Sequence, residues 1–138
     1  MKTCGVEIKA SEAIFALASL ESGAVVHLPL TLKKLALEDD DLAANVRAFA
    51  ARAAAFVAEH GIQRLAIKKR GKKGEFAGGP TTFKIEGILQ LLESCETVLV
   101  SPQTISAQAK KPGAELPASL NKYQHEAFKA ASAVLLKR

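Results

Sequence analysis

Apolar residues in the first part of the chain follow the patterns of β-strands. Thr3–Lys9 alternates apolar positions with polar or glycine positions, which predicts a strand. Ala13–Leu20 is a nearly continuous apolar run between turn residues and predicts a second strand, covered on both faces. Ala24–Leu37 is rich in Val and Leu but is broken at Pro29, so we expect an irregular third strand at a sheet edge. The short turns between these runs predict an antiparallel meander.

The rest of the chain alternates helical patterns with short apolar runs. Glu38–Asp41 is expected to open a helix, because acidic side chains cap a first turn, and Gly61 is expected to end it. The later predicted elements are a strand at Gln63–Lys68, a helix capped by Thr81 or Thr82 and apolar up to Leu92, a strand at Thr97–Val100, a short helix capped by Ser101, a loop at Lys110–Pro117 and a last helix at Ser119–Leu136. Strands that are each reached through a helix are expected to be parallel. The sequence thus predicts an α/β fold with a mixed five-stranded sheet, three antiparallel strands followed by two parallel ones, flanked by helices.

Length and composition predict one globular domain over residues 1–138. Hydrophobic residues make up 49% and charged residues 24% of the chain, which argues against general disorder. Cys4 and Cys95 lack the spacing of a metal site or a disulfide framework, so we expect two buried reduced thiols. The sequence has no signal-peptide pattern and no apolar run of membrane-spanning length, which predicts a cytoplasmic protein without a membrane partner.

The charge balance favours a polyanionic partner. Nineteen Lys and Arg residues against 14 Asp and Glu residues give a net charge of +5. A cationic, glycine-bearing segment, Lys68–Lys84, connects a predicted strand to a helix start, where backbone amides and the helix dipole favour phosphate. The same composition also suits an ordinary solvated loop. The candidate nucleic-acid contacts are Lys69, Arg70, Lys72, Lys73, Lys84, Lys110 and Lys111, and the candidate anion-binding residues are Gly78, Gly79, Thr81 and Thr82.

Several stretches resemble the Holliday-junction-resolvase branch of the RNase H-like fold, and the resemblance covers nearly the whole chain. Cys4–Ile8 resembles the opening strand of that branch, which carries Gly-Ile-Asp. Gln63–Lys68 resembles its fourth strand, and Val100–Ile105 resembles its fifth strand with the Pro-containing turn. The opening Met1–Lys9, together with the later Lys-Gly-Glu-Phe-Ala-Gly-Gly and Phe-Lys-Ile-Glu, is similar to a small bacterial family assigned to this fold that has no established activity.

The resemblance implies a set of catalytic and metal-binding positions. In active members, acidic residues on the first strand, the fourth strand and the last helix bind two divalent cations that activate water. Carried over, the metal ligands are Glu7 and Glu126. A nuclease would need a third carboxylate from Glu75 or Glu86, of which Glu86 is at a position that the resolvases do not normally use, and its cofactor would be Mg²⁺ or Mn²⁺. The fourth-strand position falls at Lys68, a cation where a ligand belongs. The candidate catalytic residues are therefore Glu7, Lys68, Glu86 and Glu126.

Three functions remain open from the sequence. The favoured one is a nucleic-acid-binding domain with a degenerate metal site, in which Lys68 pairs with Glu7 and replaces the charge of a cation. The second is a metal-dependent nuclease or resolvase. The third is a small-anion or protein-interaction domain that uses the Gly78–Thr82 helix start. Because resolvases of this fold often act as dimers, the resemblance also allows a homodimer.

Overall fold

The computed structural model describes residues 1–74 and 78–137. Its strands in that part of the chain are β1 (Thr3–Lys9), β2 (Glu12–Glu21), β3 (Ala24–Leu28), β4 (Lys34–Ala36), β5 (Arg64–Lys68) and β6 (Glu96–Val100). Its α-helices there are α1 (Ala43–His60), α2 (Pro80–Gln90), α3 (Pro102–Ala109) and α4 (His125–Leu136), the last preceded by a 3₁₀ turn at Lys122–Gln124.

The sheet is mixed, as predicted. The strand order is β3-β2-β1-β5-β6. β1 is antiparallel to β2 and parallel to β5, and β5 is parallel to β6. The parallel strands are joined through helices, so their carboxyl ends lie together at one edge of the sheet.

The third predicted strand is two strands, which gives six strands among the described residues instead of the predicted five. β3 pairs with Leu17–Glu21 of β2 and β4 pairs with Glu12–Ile14 of the same strand. Pro29 follows β3 directly and has no amide to donate to the ladder, so the chain leaves the sheet before it pairs again. The prediction that this region is irregular and at an edge is confirmed, since β3 ends the sheet.

Three predicted helix starts are wrong. α1 begins after Leu42, with no acidic residue in its first turn, because Asp39 has a positive φ of 21° and turns the chain outside the helix. α2 takes Gly79 as its N-cap with a proline in the first turn, so neither Thr81 nor Thr82 is the cap.

The last helix starts at His125 and not at Ser119. Asn121 and Gln124 form a capping box in the preceding 3₁₀ turn, each side chain accepting a hydrogen bond from the other residue's backbone amide. The buried Gln124 amide also donates to the Phe15 carbonyl at 2.8 Å, which fixes this helix start against β2. The alternative hydrogen bonds of these side chains explain why the regular helix begins late.

The two faces of the sheet bury different helices. Cys4, Val6 and Ile8 of β1 pack in one cluster with residues of α1 and α2. The opposite face packs on α4, with Ala16 and Ala18 of β2 in that cluster. Because neighbouring residues of a strand point to opposite faces, the odd-numbered positions of β1 point toward α4.

Both cysteines are free thiols. Cys4 is buried, as predicted, and burial raises the pKa of its thiol. Cys95 is half-buried, and partial burial also raises its pKa. None of the described helices combines the length and apolar character needed to cross a bilayer.

Candidate functional site

A glycine lets the last helix approach the first strand closely. A Cβ built on Gly5 would lie 1.6 Å from the Ala127 carbonyl oxygen, far inside any real contact. Only a residue without a side chain therefore allows α4 to lie this near to β1. The close approach brings Glu126, at the start of α4, to the carboxyl ends of β1 and β5.

Glu7 and Lys68 lie on the face of the sheet that α4 covers. Glu7 is two residues beyond Gly5 on β1, and Lys68 is two residues beyond Ala66, which packs against α4. The parallel register pairs Val6 with Ile67, so Glu7 and Lys68 are the next positions of neighbouring strands. Glu7, Lys68 and Glu126, which the resemblance selected at separate points of the sequence, therefore lie at the same edge of the sheet.

Both carboxylate oxygens of Glu126 are engaged by ammonium groups. Lys68 Nζ donates to Oε1 at 2.8 Å, and Lys129 Nζ donates to Oε2 at 3.1 Å. The hydrogen bond from Lys68, followed by that from Lys129, lowers the pKa of Glu126 against the opposing effect of partial burial. The predicted pairing of Lys68 with Glu7 is wrong, since Glu7 has no ion-pair partner within 4.0 Å among the described residues. Glu126 lies nearer because α4 is packed on the sheet at Gly5.

These charges line a half-open cleft of about 420 Å³. Its floor is Lys68, one side is α4 with Glu126 and Lys129, and the other side is α3. The side formed by α3 contributes an apolar wall, one hydroxyl and one more lysine: Pro102, Ile105, Ala109, Ser106 and Lys110. Three ammonium groups and one carboxylate leave the cleft with a net positive charge, which favours an anion.

The ion pairs of Glu126 predict a dependence of stability on pH. The folded-state pKa of Glu126 is depressed, so its contribution is fully present above the unfolded pKa, about 4.3, and is lost as pH falls through the lower folded value. We expect the difference in unfolding free energy between the wild type and Glu126→Gln to shrink as pH drops from about 6 to about 3. Urea denaturation of both proteins at each pH measures it. A difference that stays constant over this range would show that Glu126 does not act as a paired carboxylate.

A metal ion does not suit these residues as they are arranged. Within residues 1–74 and 78–137, no three His, Cys, Asp or Glu side chains are grouped so that they could hold a metal. Glu126 is one candidate ligand, but ammonium groups bond to both of its oxygens. Glu86 is 8% exposed and belongs to α2, in the layer on the other side of the sheet. The other candidate third ligand, Glu75, lies outside the described residues.

At the predicted anion site at the start of α2, the side chains already bond to a carboxylate of the protein, that of Asp40. Thr81 Oγ1 donates to Asp40 Oδ2 at 3.3 Å, and Lys84 Nζ lies 3.3 Å from the same oxygen. Thr82 is 1% exposed, and its hydroxyl donates to the Ala10 carbonyl. Gly79 is the N-cap of the helix, and none of the described side chains makes a hydrogen bond at this cap. Asp40, one residue of the acidic run that was expected to cap α1, therefore bonds to α2 instead.

The predicted nucleic-acid contacts separate into two groups. Arg70 donates to the Ile8 carbonyl at 3.0 Å, and the Gly78 amide donates to the Gly71 carbonyl. Arg70 and Lys84 therefore make contacts within the fold. Lys84 is nevertheless exposed, and so are the remaining members, Lys69, Lys72, Lys73, Lys110 and Lys111, of which Lys110 lines the cleft.

The sequence profile of one protein family matches residues 1–134, nearly the whole chain. The chain belongs to the family "Protein of unknown function (DUF3010)". No functionally curated protein matches this DUF3010 chain in sequence.

Solved structures resemble the DUF3010 chain over almost its full length. Thermus thermophilus RuvC has a TM-score of 0.73 at 10% identity, covering 96% of this chain and 92% of the other. The same protein in complex with a Holliday junction substrate gives 0.71 at 11% identity, covering 96% and 91%. Fowlpox virus resolvase in complex with Holliday junction DNA gives 0.54 at 15% identity, covering 98% and 93%. At these identities the similarity concerns the fold, and it confirms the RNase H-like architecture predicted from the sequence.

Lys129 is the site residue that the sequence reasoning missed. It lies three residues after Glu126 on α4, and residues at this spacing share a helix face. That spacing was the available signal once Glu126 had been selected. The contribution of α3 had no comparable signal, because its place beside α4 depends on how the two helices pack.

Proposed function

We propose that this DUF3010 protein binds the phosphate backbone of nucleic acid in the cleft between α3 and α4, without a metal ion. The observation that carries the proposal is the bonding of Glu126, whose two carboxylate oxygens meet Lys68 at 2.8 Å and Lys129 at 3.1 Å. The two ammonium groups thus occupy the positions beside this carboxylate that a metal ion would need. The same groups, with Lys110, are donors for phosphate oxygens.

The exposed lysines around the cleft extend the binding surface. Lys69 directly follows the floor residue Lys68, and Lys111 directly follows Lys110 at the end of α3. The fold also supports this assignment, because two of the structural neighbours are described in complex with Holliday junction DNA. We leave Arg70 and Lys84 out of the proposed surface, since both already bond to oxygens of the protein itself.

A metal-dependent nuclease is the second candidate, favoured by the position of Glu7 beside Lys68 at the carboxyl ends of β1 and β5. In that function Lys68 would have to leave Glu126 so that both carboxylates could bind Mg²⁺ or Mn²⁺. Two carboxylates, with water and substrate phosphate oxygens, would be enough ligands for Mg²⁺, so the number of carboxylates does not separate the two candidates. Metal dependence therefore distinguishes the two candidates.

Binding measured with and without metal tests the proposal. Fluorescence anisotropy with a four-way junction, a duplex and a single strand should show binding in EDTA, and affinity should fall steeply between about 50 mM and about 200 mM salt. With roughly three to five phosphate contacts, from the three lysines of the cleft and the two beside it, the slope of log K against log salt is expected between about −2 and about −4.5. The absence of binding to all three DNAs at low salt would contradict the proposal. Binding that requires Mn²⁺ and leads to cleavage would favour the nuclease.

A further inference from the structure

The shape and the charge of the cleft point to one kind of phosphate. We infer that it takes the terminal phosphomonoester of a nucleic-acid strand, in preference to a phosphodiester within the strand. This inference rests on the proposed function and specifies its ligand. Three features support it: the net charge, the closed inner end and the mixed lining of the cleft.

The charge matches a dianion. Lys68, Lys110 and Lys129 contribute three positive charges and Glu126 one negative charge, so the net charge of the lining is +2. A phosphomonoester carries about −1.5 to −2 near pH 7, whereas each diester within a strand carries a single charge. The additional half to full charge of the monoester is therefore worth more in this cleft than on an open surface, where solvent and salt screen it.

The inner end of the cleft is closed by contact between its two walls. Ile105 of α3 is 4% exposed and belongs to one buried cluster with Ala130 and Ala133 of α4. The volume of about 420 Å³ lies in the range of small-ligand sites, roughly 300–1,000 Å³. With its inner end closed and its mouth open, the cleft lets the terminal phosphate of a strand reach its floor, while a continuous backbone can only lie across the mouth.

The lining suits the nucleoside that carries the phosphate. Pro102, Ile105 and Ala109 give an apolar wall on α3, and the Ser106 hydroxyl is close to it. The lysines lie on the floor and on the opposite wall, with Lys110 at the end of α3. A terminal nucleotide can therefore place its phosphate among the ammonium groups and its sugar or base against the apolar wall.

A matched set of oligonucleotides tests the inference. One short single-stranded sequence is prepared with a 5′-phosphate, with a 3′-phosphate and with hydroxyl groups at both ends, and each is titrated against the full chain by anisotropy. We expect at least one phosphorylated form to bind about tenfold more tightly than the hydroxyl form at about 50 mM salt. Lys129→Gln and Lys110→Gln should remove this preference, while Lys84→Gln, which removes the same charge on the other layer, should keep it.

Each outcome separates this inference from the function on which it rests. Equal affinity for all three oligonucleotides overturns the inference and leaves backbone binding intact. The absence of binding to any of them overturns both. A nucleoside monophosphate that displaces the phosphorylated oligonucleotide at comparable concentration supports the phosphomonoester site and identifies a free nucleotide as the source of the ligand.

Discussion

Glu126→Gln is expected to tighten nucleic-acid binding about tenfold, and Lys68→Gln is expected to weaken it by about the same factor or more. Removing the carboxylate frees Lys68 and Lys129, which now bond to it at 2.8 and 3.1 Å, for phosphate oxygens. Removing Lys68 takes away the donor on the floor of the cleft and leaves Glu126 to repel the ligand. Anisotropy titrations in EDTA at fixed salt measure both affinities.

The direction of the Glu126→Gln effect distinguishes the two candidate functions. A metal-dependent nuclease would lose metal binding and cleavage when this carboxylate is neutralised, whereas the proposed cleft gains affinity. Lys84→Gln is the matched control for Lys68→Gln, because it removes one ammonium group that pairs with Asp40 at a distance from the cleft. If Lys84→Gln weakens binding as much as Lys68→Gln, the effect reflects net charge and the cleft is not the binding site.

Gly5→Ala is expected to destabilise the protein by more than about 3 kcal/mol or to prevent folding. The added methyl group would lie 1.6 Å from the Ala127 carbonyl oxygen and 3.0 Å from the Ala131 amide nitrogen. These are backbone atoms of α4, so they move only if the whole helix shifts away from β1. Urea denaturation measures the loss, and the circular dichroism spectrum shows whether the variant folds.

Gly87→Ala is the control for this substitution. Gly87 lies within α2, and a Cβ added there meets no atom within 4 Å. Alanine has the higher helix propensity, so we expect this variant to be unchanged or more stable by up to about 1 kcal/mol. Comparable destabilisation by both substitutions would show that the close approach of α4 to β1 is not the cause.

Elements with a strong local pattern were predicted well. The alternation in Thr3–Lys9 and the apolar run after it gave the first two strands, and β5 matches the predicted Gln63–Lys68 within one residue. The predicted starts of helices were wrong where side-chain hydrogen bonds compete with regular helical structure. Asp40 bonds to Thr81 and Lys84 outside α1, and Asn121 and Gln124 hold a 3₁₀ turn before α4.

The amino-acid sequence alone determined the fold class, because period-two and helical patterns are properties of short segments. It offered Glu7, Lys68 and Glu126 as candidate positions only through the resemblance of local motifs to the resolvase branch. Only the tertiary structure decided which of these positions interact. The choice of Glu126 over Glu7 as the partner of Lys68 depends on how closely α4 packs at Gly5. The cleft likewise depends on α3 lying beside α4, which brings Lys110 near Lys129 across about 20 residues of chain. Such contacts arise from packing between distant segments, which no local pattern records.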